Sequence, residues 1–324
     1  MGLSIVRYVA GKDDPCWGYL RDGRVYELKV NPASHTELIA LHRADSNALR
    51  DAVGFEVAAL DDLTLRSPVT GSIQLFCQGL NYSDHRAEGG MDKGSPDEEN
   101  LIFTKAPSSI CGPNDDIVRP IGCELLDYEI ELGIVLGVDI HGSTAVPEDR
   151  LCDWVGAFIL ANDVSARDIS FGSPAMQWFR GKSQRTFCPL GPVLYLMDSE
   201  DFEALYALEL QLRVNGEIKQ KSSTAMLIHK PAKTLSDISQ FADLNAGDCV
   251  LTGTPGGVQL QMTPKTGLAI IMNMRNDEKR RRKLTAAQLQ TNPYLQPGDQ
   301  LELSIRSTDG SIDLGTQRNR IVAA

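Results

Sequence analysis

Long apolar runs and nucleotide-binding signatures are missing from this sequence of 324 residues. No apolar run approaches the ~18 residues that a membrane-spanning helix needs. The dinucleotide fingerprint G-x-G-x-x-G, the phosphate-binding G-x-x-x-x-G-K-[ST] and the serine-hydrolase elbow G-x-S-x-G are also absent, so those functions lose their main support. Basic residues are outnumbered, with 32 Lys and Arg against 43 Asp and Glu. The net charge of −11 therefore argues against a nucleic-acid-binding protein.

The seven cysteines form no C-x-x-C pair, and their number is odd. Several lie in apolar, strand-like runs, which is typical of reduced, buried thiols in a reducing compartment. The first residues lack the long apolar core of a signal peptide. We therefore expect a cytoplasmic protein without a membrane partner.

Strand-like patterns dominate the chain and helical patterns are few. Asp22 and Gly23 separate two alternating runs near the N-terminus and predict a hairpin there. A helix is predicted over about residues 34–53, and Pro68 with Gly71 marks a boundary. The sequence thus predicts a strand-rich α+β protein with a small N-terminal domain (1–67) and a catalytic domain (68–324).

One segment, residues 259–296, is compositionally unusual because it contains five consecutive basic residues at 279–283. A basic run is usually a solvated helix face. The alternative is a binding site for RNA or another anion.

Two acidic residues alternate with apolar ones in the stretch from Asp127 to Gly137. Successive side chains of a strand point to opposite faces, so Glu129 and Glu131 project to the same side. Two adjacent carboxylates repel each other, and a divalent cation would remove both the repulsion and the cost of burial. Oxygen ligands suit Mg²⁺, Mn²⁺ or Ca²⁺ better than Zn²⁺. The alternative is an edge strand whose acidic face lies in water.

Two further segments carry candidate chemistry. A helical turn would place His85 and Glu88 on one face, where the carboxylate would make the imidazole a base for water. A surface contact between the two is the alternative. Asp163 follows an apolar strand and would complete a set of three carboxylates, and Arg167 would bind a carboxylate or enolate of the substrate. A helix cap with a structural ion pair is the other interpretation.

Two loops offer groups to an anion. Lys182 follows a glycine and would present its ammonium group to an oxyanion. Thr254 lies in a glycine-rich turn, where hydroxyl and backbone N–H groups would bind a carboxylate. A surface lysine and an ordinary turn are equally compatible with these two patterns.

Taken together, these segments resemble the fumarylacetoacetate hydrolase family. The resemblance runs from about Gly79 to Val258 and depends on motifs that occur in the family's order. These motifs are G-x-N-Y-x-x-H-x-x-E, D-Y-E-x-E-L, N-D-V-S-A-R-D, R-G-K-S, F-C-P-L-G-P, V-N-G-E-x-x-Q and G-D-x-x-x-T-G-T-P-G-G-V.

The resemblance implies a mixed β-sheet roll as the C-terminal domain, a small N-terminal α/β cap domain and a homodimer. It also implies a bound Mg²⁺ or Mn²⁺, with Ca²⁺ as a further option. The implied site residues are catalytic His85, Glu88 and Lys182, substrate-binding Arg167, Thr254, Tyr82 and Ser170, and metal-binding Glu129, Glu131 and Asp163.

Three departures from the family pattern affect the expected mouth of the pocket. Ser170 stands where the family commonly has glutamine, and Gln184 with Arg185 replaces a Phe-Asp pair. The segment between Val258 and Pro297 is also longer than expected. These departures leave the choice of substrate open.

The resulting hypothesis is a metal-dependent hydrolase that cleaves a carbon–carbon bond in a 1,3-dicarbonyl compound, such as an acylpyruvate, a fumarylpyruvate-like compound or a β-diketone. His85, oriented by Glu88, would deprotonate the attacking water. One alternative is a decarboxylase of an oxaloacetate-like β-keto acid, or an isomerase, on the same metal site. A second is a non-catalytic protein whose residues 279–283 bind an anionic partner.

Overall fold

A computed structural model describes residues 1–9, 14–88, 90–173, 175–290 and 292–324, without the side chains of Lys265 and Ala269. The strands are β1 (Leu3–Val9), β2 (Cys16–Arg21), β3 (Arg24–Leu28), β4 (Val53–Ala59), β5 (Thr64–Arg66), β6 (Leu75–Gly79), β7 (Leu101–Lys105), β8 (Ile110–Cys111), β9 (Ile117–Arg119), β10 (Leu126–Asp127), β11 (Ile130–Leu136), β12 (Val155–Asn162), β13 (Ser165–Ala166), β14 (Cys188–Leu196), β15 (Leu208–Val214), β16 (Glu217–Ser223), β17 (Cys249–Leu251), β18 (Gln300–Ser307) and β19 (Asp313–Ala323).

Helices are short and lie between the strands. The α-helices are α1 (His35–Ala44), α2 (Ser46–Asp51), α3 (Ser83–Glu88), α4 (Arg167–Gly172), α5 (Trp178–Lys182), α6 (Pro231–Ser239), α7 (Pro264–Ile271) and α8 (Asp277–Gln288). Single 3-10 turns or longer 3-10 stretches occupy Leu60–Asp62, Pro107–Ser109, Glu148–Asp153, Ser199–Ala207 and Thr224–Met226. The predicted strand-rich α+β class is confirmed.

Two large mixed sheets form the body of the described chain. The larger runs in the order β4-β3-β2-β1-β14-β12-β11-β17-β6-β7, with β5 beside β1 and β8 beside β14. The smaller runs β16-β15-β18-β19-β9. One apolar cluster joins Ile130, Leu132 and Phe158 of the large sheet to Leu210 and Leu303 of the small one. The core therefore lies between the two sheets.

The second face of the large sheet is also buried. Ile159 and Leu251 on that face pack in one cluster with Leu38 and Ile39 of α1. Because both faces are covered, β11, β12 and β14 are buried along their whole length. A charged side chain on these strands therefore needs a partner nearby.

The N-terminal predictions have mixed outcomes. The hairpin is confirmed, since β2 pairs with β3 and both turn residues, Asp22 and Gly23, have positive φ angles. The single helix predicted over 34–53 is two helices, because Asp45 ends α1 and its carboxylate accepts the first N–H bonds of α2. Residues 1–67 supply β1, which pairs with β14, so the two predicted domains share one sheet. Their division remains a prediction.

The basic run lies on α8, and only part of it faces solvent. Lys279, Arg282 and Lys283 are exposed, as a solvated face requires, whereas Arg280 is buried. The Arg280 guanidinium donates to the backbone oxygens of Phe171 (2.8 Å) and Ser173 (2.6 Å). The run therefore also fastens α8 to the end of α4.

Candidate active site

Three carboxylates meet where β11 begins and β12 ends. These strands are antiparallel, and Glu131 stands opposite Ala161, so Glu129 and Asp163 lie at the same end of the pair. The Asp163 N–H donates to the Glu129 carbonyl at 2.8 Å. One oxygen from each of Glu129, Glu131 and Asp163 lies within 4.8 Å of the others, and all three residues are buried. The structure thus brings the predicted metal ligands together, and their metal binding remains a prediction.

The strand around these acids is less regular than predicted. The strand predicted for the stretch from Asp127 to Gly137 is interrupted, because β10 ends at Asp127 and β11 begins at Ile130. The Asp127 carboxylate accepts the N–H groups of Tyr128 (2.9 Å) and Gln259 (3.0 Å), which holds the chain in this break. Glu129 therefore reaches the site from a non-strand position.

Two predicted cations contact the acids directly. The Lys182 ammonium, at the end of α5, bridges Glu129 Oε2 (2.7 Å) and Asp163 Oδ2 (2.6 Å). Arg167 begins α4, donates from Nε to Asp127 Oδ2 at 2.9 Å, and also pairs with Glu129. Burial opposes ionisation of Glu129, but Arg167 and Lys182 outweigh it and hold its pKa well below the usual range. Glu129 is therefore ionised.

A third cation, Lys105, was missed by sequence reasoning. It ends β7 with its side chain fully buried, and its ammonium pairs with Asp163 and donates to the Phe187 carbonyl at 2.8 Å. The available signal was a lysine at the end of the strand-like run Leu101–Thr104, since a lysine carried into the interior needs a partner. Nothing in the sequence indicated that the partner is Asp163.

Glu131 is the acid that these cations leave unpaired. Its Oε2 accepts the Gly253 N–H at 2.7 Å, whereas its buried Oε1 has no hydrogen-bond partner among the described residues. Burial, followed by the charges of Asp163 and Glu129, raises the pKa of Glu131 well above its usual value.

The charges at the base of the site would not balance with every acid ionised. Four buried carboxyl groups (Asp127, Glu129, Glu131 and Asp163) face three buried cations (Lys105, Arg167 and Lys182). Full ionisation would leave one negative charge in excess, and the unpaired oxygen of Glu131, whose pKa is raised, marks where it would lie. A dication bound by oxygen ligands fits this site, because it would supply the missing partner and the missing positive charge.

The predicted base pair lies at the side of the same cavity. His85 and Glu88 are on α3, and His85 Nδ1 is 3.6 Å from Glu88 Oε2, an ion-pair distance that is long for a hydrogen bond. Glu88 Oε1 accepts the Gly257 N–H at 2.7 Å, which ties α3 to the glycine-rich turn. The pair therefore lines the same cavity as Glu129, in a position suited to a base.

A cavity of about 180 Å³ reaches the acids at Glu129 and is lined by most of the predicted residues. Its polar lining consists of Gln78, His85, Glu88, Glu129, Arg167, Ser170, Lys182 and Thr254. The Thr254 hydroxyl donates to the Ile130 carbonyl at 2.9 Å and accepts from Gln220 at 2.9 Å. Tyr82, by contrast, is fully buried and is not part of this lining. The structure thus brings Thr254 and Ser170 to the cavity, whereas Tyr82, Glu131 and Asp163 are not in its lining.

The sequence matches that of a known protein family. The sequence profile of the fumarylacetoacetate (FAA) hydrolase C-terminal family matches residues 74–322. The chain belongs to the fumarylacetoacetate hydrolase family. The match includes the acids, the base pair and both cavity-lining cations, so the predicted family is confirmed. As a member of this family, the chain is an enzyme.

Members of the family that resemble this chain carry different activities in their names. The chain is 36% identical over 235 residues to the mitochondrial oxaloacetate tautomerase FAHD2A of Bos taurus, covering 72% of each chain. It is 33% identical over 278 residues to the 2,4-didehydro-3-deoxy-L-rhamnonate hydrolase of Sphingomonas sp., covering 85% of this chain and 83% of the relative.

A solved structure shows the same fold over the whole chain. The fumarylacetoacetate hydrolase of Exiguobacterium antarcticum superposes with a TM-score of 0.75 at 28% identity, covering 99% of this chain and 100% of the other. No helix within the described residues has the length and apolar character to cross a membrane. Since a similar relative is mitochondrial, the cytoplasmic location stays a prediction, as does the homodimer.

Proposed function

We propose that this enzyme hydrolyses a carbon–carbon bond in a 1,3-dicarbonyl substrate of the acylpyruvate type, with a divalent metal ion. The observation that carries the proposal is the unpartnered Glu131 oxygen, which lies beside two further carboxylates. One of these, Glu129, lines a cavity together with His85 and Glu88. A base for water and a site for a dication thus face the same space.

The metal requirement follows from the charges. Glu129, Glu131 and Asp163 would hold Mg²⁺ or Mn²⁺, which would act as a Lewis acid that stabilises negative charge on the substrate oxygens. With a dication bound and all four acids ionised, the base of the site carries one excess positive charge. A substrate that becomes an anionic enolate matches that charge.

The chain's own residues account for the proton transfers. His85, oriented by Glu88, takes a proton from water, and the water oxygen forms a bond to the acyl carbonyl carbon. The bond between that carbon and the central carbon then breaks, and its electron pair remains on the pyruvate enolate. Protonated His85 returns a proton to the enolate carbon, so the products are a carboxylic acid and pyruvate. Arg167 and Lys182 keep the acids in place.

The test measures both products of acetylpyruvate cleavage by chromatography, together with the ultraviolet absorbance of the enol, with and without Mg²⁺ or Mn²⁺. Glu131→Gln and His85→Asn should each lower kcat by about 100-fold or more. His141→Asn is the control, because His141 is an exposed histidine outside the cavity lining and should retain activity. Metal-independent release of pyruvate, or full activity of His85→Asn, would refute the hydrolytic proposal.

A second candidate is the interconversion of keto and enol forms, which the name of the similar bovine tautomerase supports. This reaction needs a base that moves a proton between carbon and oxygen, and it needs no attack by water. His85 is placed for either task. Loss of the oxaloacetate enol without any cleavage product from acylpyruvates would favour this candidate.

A further inference from the structure

The cavity has an apolar wall that includes three aromatic rings. The wall consists of Leu80, Met91, Phe103, Phe171, Trp178, Leu260 and Met262. The Trp178 ring stands edge-on to Phe103, with 5.4 Å between centroids, and edge-on to Phe171, with 6.2 Å between centroids. These contacts fix three rings around one space, as in a preformed site for an apolar group.

The Phe103 ring connects the apolar wall to the acids. The Lys182 ammonium lies 5.1 Å from its centroid while it bridges Glu129 and Asp163. A substrate whose dicarbonyl group lies at the acids would therefore extend its other end along Phe103 towards Trp178.

The described lining of the cavity does not favour a second carboxylate at that far end of the substrate. The cations that line the cavity are Arg167 and Lys182, and both are paired with acids at its base. Glu88 would repel an anion. The Gln78 amide nitrogen donates to Asn100 at 3.1 Å, which leaves its unpartnered oxygen, an acceptor, for the cavity. The Ser170 hydroxyl donates to the Ala166 carbonyl at 3.1 Å.

Part of the apolar wall comes from the segment that is longer than the family pattern. Leu260 and Met262 lie at its start, and α8 near its end holds α4 in place. Arg280 binds the Phe171 carbonyl (2.8 Å), and Arg281 donates to the buried Asp168 carboxylate (2.7 Å). The extended segment thus both supplies wall residues and positions Phe171.

We infer that the substrate of this site carries an apolar acyl substituent, an aryl or branched alkyl group, on the carbonyl remote from the carboxylate. The inference rests on the proposed function and names its substrate class. An aroylpyruvate fits the acids with its dicarbonyl end and the three rings with its aryl end. A substrate with a second carboxylate in that place would bury a charge without a partner.

The test compares benzoylpyruvate, acetylpyruvate and fumarylpyruvate as substrates of the Mg²⁺-loaded enzyme. The ratio kcat/KM should be at least about 10-fold higher for benzoylpyruvate than for either competitor, since apolar groups in a matched pocket discriminate by that order. Dissociation constants of the three compounds with His85→Asn, measured by calorimetry, should show the same order. An equal or reversed order in both measurements overturns the inference.

Substitutions in the apolar wall provide a second test of the substrate preference. Met262→Arg places a cation at the far end and should shift the preference towards fumarylpyruvate by at least about 10-fold. Leu260→Lys repeats the change at a second position in case the first variant does not fold. Leu268→Arg is the matched control, because Leu268 is 61% exposed on α7 and should leave the preference unchanged. An unshifted preference in both folded wall variants contradicts the assigned wall.

The two proposals fail in different ways. If none of the three compounds is cleaved, the proposed hydrolysis is wrong, and the binding order alone decides the inference. If all three are cleaved with equal kcat/KM and bound with equal affinity, hydrolysis stands and the apolar substrate class is wrong.

Discussion

Replacement of Glu131 by Gln should stabilise the metal-free enzyme while it abolishes stabilisation by metal. Glutamine has nearly the same shape, and its oxygen can still accept the Gly253 N–H bond that Glu131 accepts at 2.7 Å. The substitution replaces the buried oxygen that has no partner in the described structure by an amide NH2 group, which can donate to the neighbouring carboxylates of Glu129 and Asp163. It also removes an ionisable group whose charged form is disfavoured by burial, so the free energy of unfolding at neutral pH should rise.

The size and pH dependence of the effect follow from the raised pKa of Glu131. Native Glu131 keeps its proton above pH ~4.3, where the unfolded chain has released it, so stability falls as pH rises from ~4.3 towards the native pKa. Each pH unit costs about 1.4 kcal/mol, so the penalty at neutral pH is at most about 4 kcal/mol. Glu131→Gln lacks this fall and should be more stable by up to that amount.

Urea unfolding with EDTA and with excess Mn²⁺, at several pH values between about 5 and 8, measures this difference. The wild type should gain stability with Mn²⁺, and Glu131→Gln should not. Glu203→Gln serves as the control, because Glu203 is an exposed glutamate and should match the wild type in both conditions. A metal-free Glu131→Gln protein that is less stable than the wild type at neutral pH, or that is still stabilised by Mn²⁺, would refute the reasoning.

Two further predictions concern other buried charges. Lys105→Met removes the fully buried cation that pairs with the Asp163 carboxylate, and it should lower the free energy of unfolding of the metal-free protein by about 3–5 kcal/mol, measured in urea. The control Lys221→Met, at an exposed lysine, should change it little. A loss under about 1 kcal/mol for Lys105→Met would contradict the assignment. Burial lowers the pKa of His35, whose Nδ1 accepts the Thr70 N–H and whose Nε2 bonds to the Gly247 carbonyl. The unfolded chain therefore binds a proton first as pH falls below about 6.5, and stability should drop by about 1.4 kcal/mol per pH unit until the native pKa is reached. The same urea titration with His35→Gln should lack this component, and an unchanged slope would contradict it.

Local patterns predicted the acidic site well because they depend on neighbouring residues. His85 and Glu88 share one turn of a helix. The strand period predicts that Glu129 and Glu131 point to one side, and the two acids do converge although Glu129 precedes β11. Asp163 follows an apolar strand, as predicted, but it reaches these acids only because β12 pairs with β11.

Partners that are distant in the sequence were not predictable in this way. Lys105 reaches Asp163 only because β7 lies at one end of the large sheet and its last side chain turns inward. Similarly, Arg280 is buried because α8 packs against α4, a contact that a basic run gives no reason to expect. Such pairings depend on tertiary packing rather than on the spacing of residues.

Because β1 pairs with β14, the first 67 residues cover one edge of strand β14. Residues Leu3–Val6 bond along Val193–Leu196, a strand in the interior of the large sheet. Removal of the N-terminal part would leave backbone N–H and C=O groups of that strand without partners beside its apolar side chains, and chains aggregate on such an edge. A shortened enzyme that retains every reactive side chain would for this reason be difficult to keep in solution.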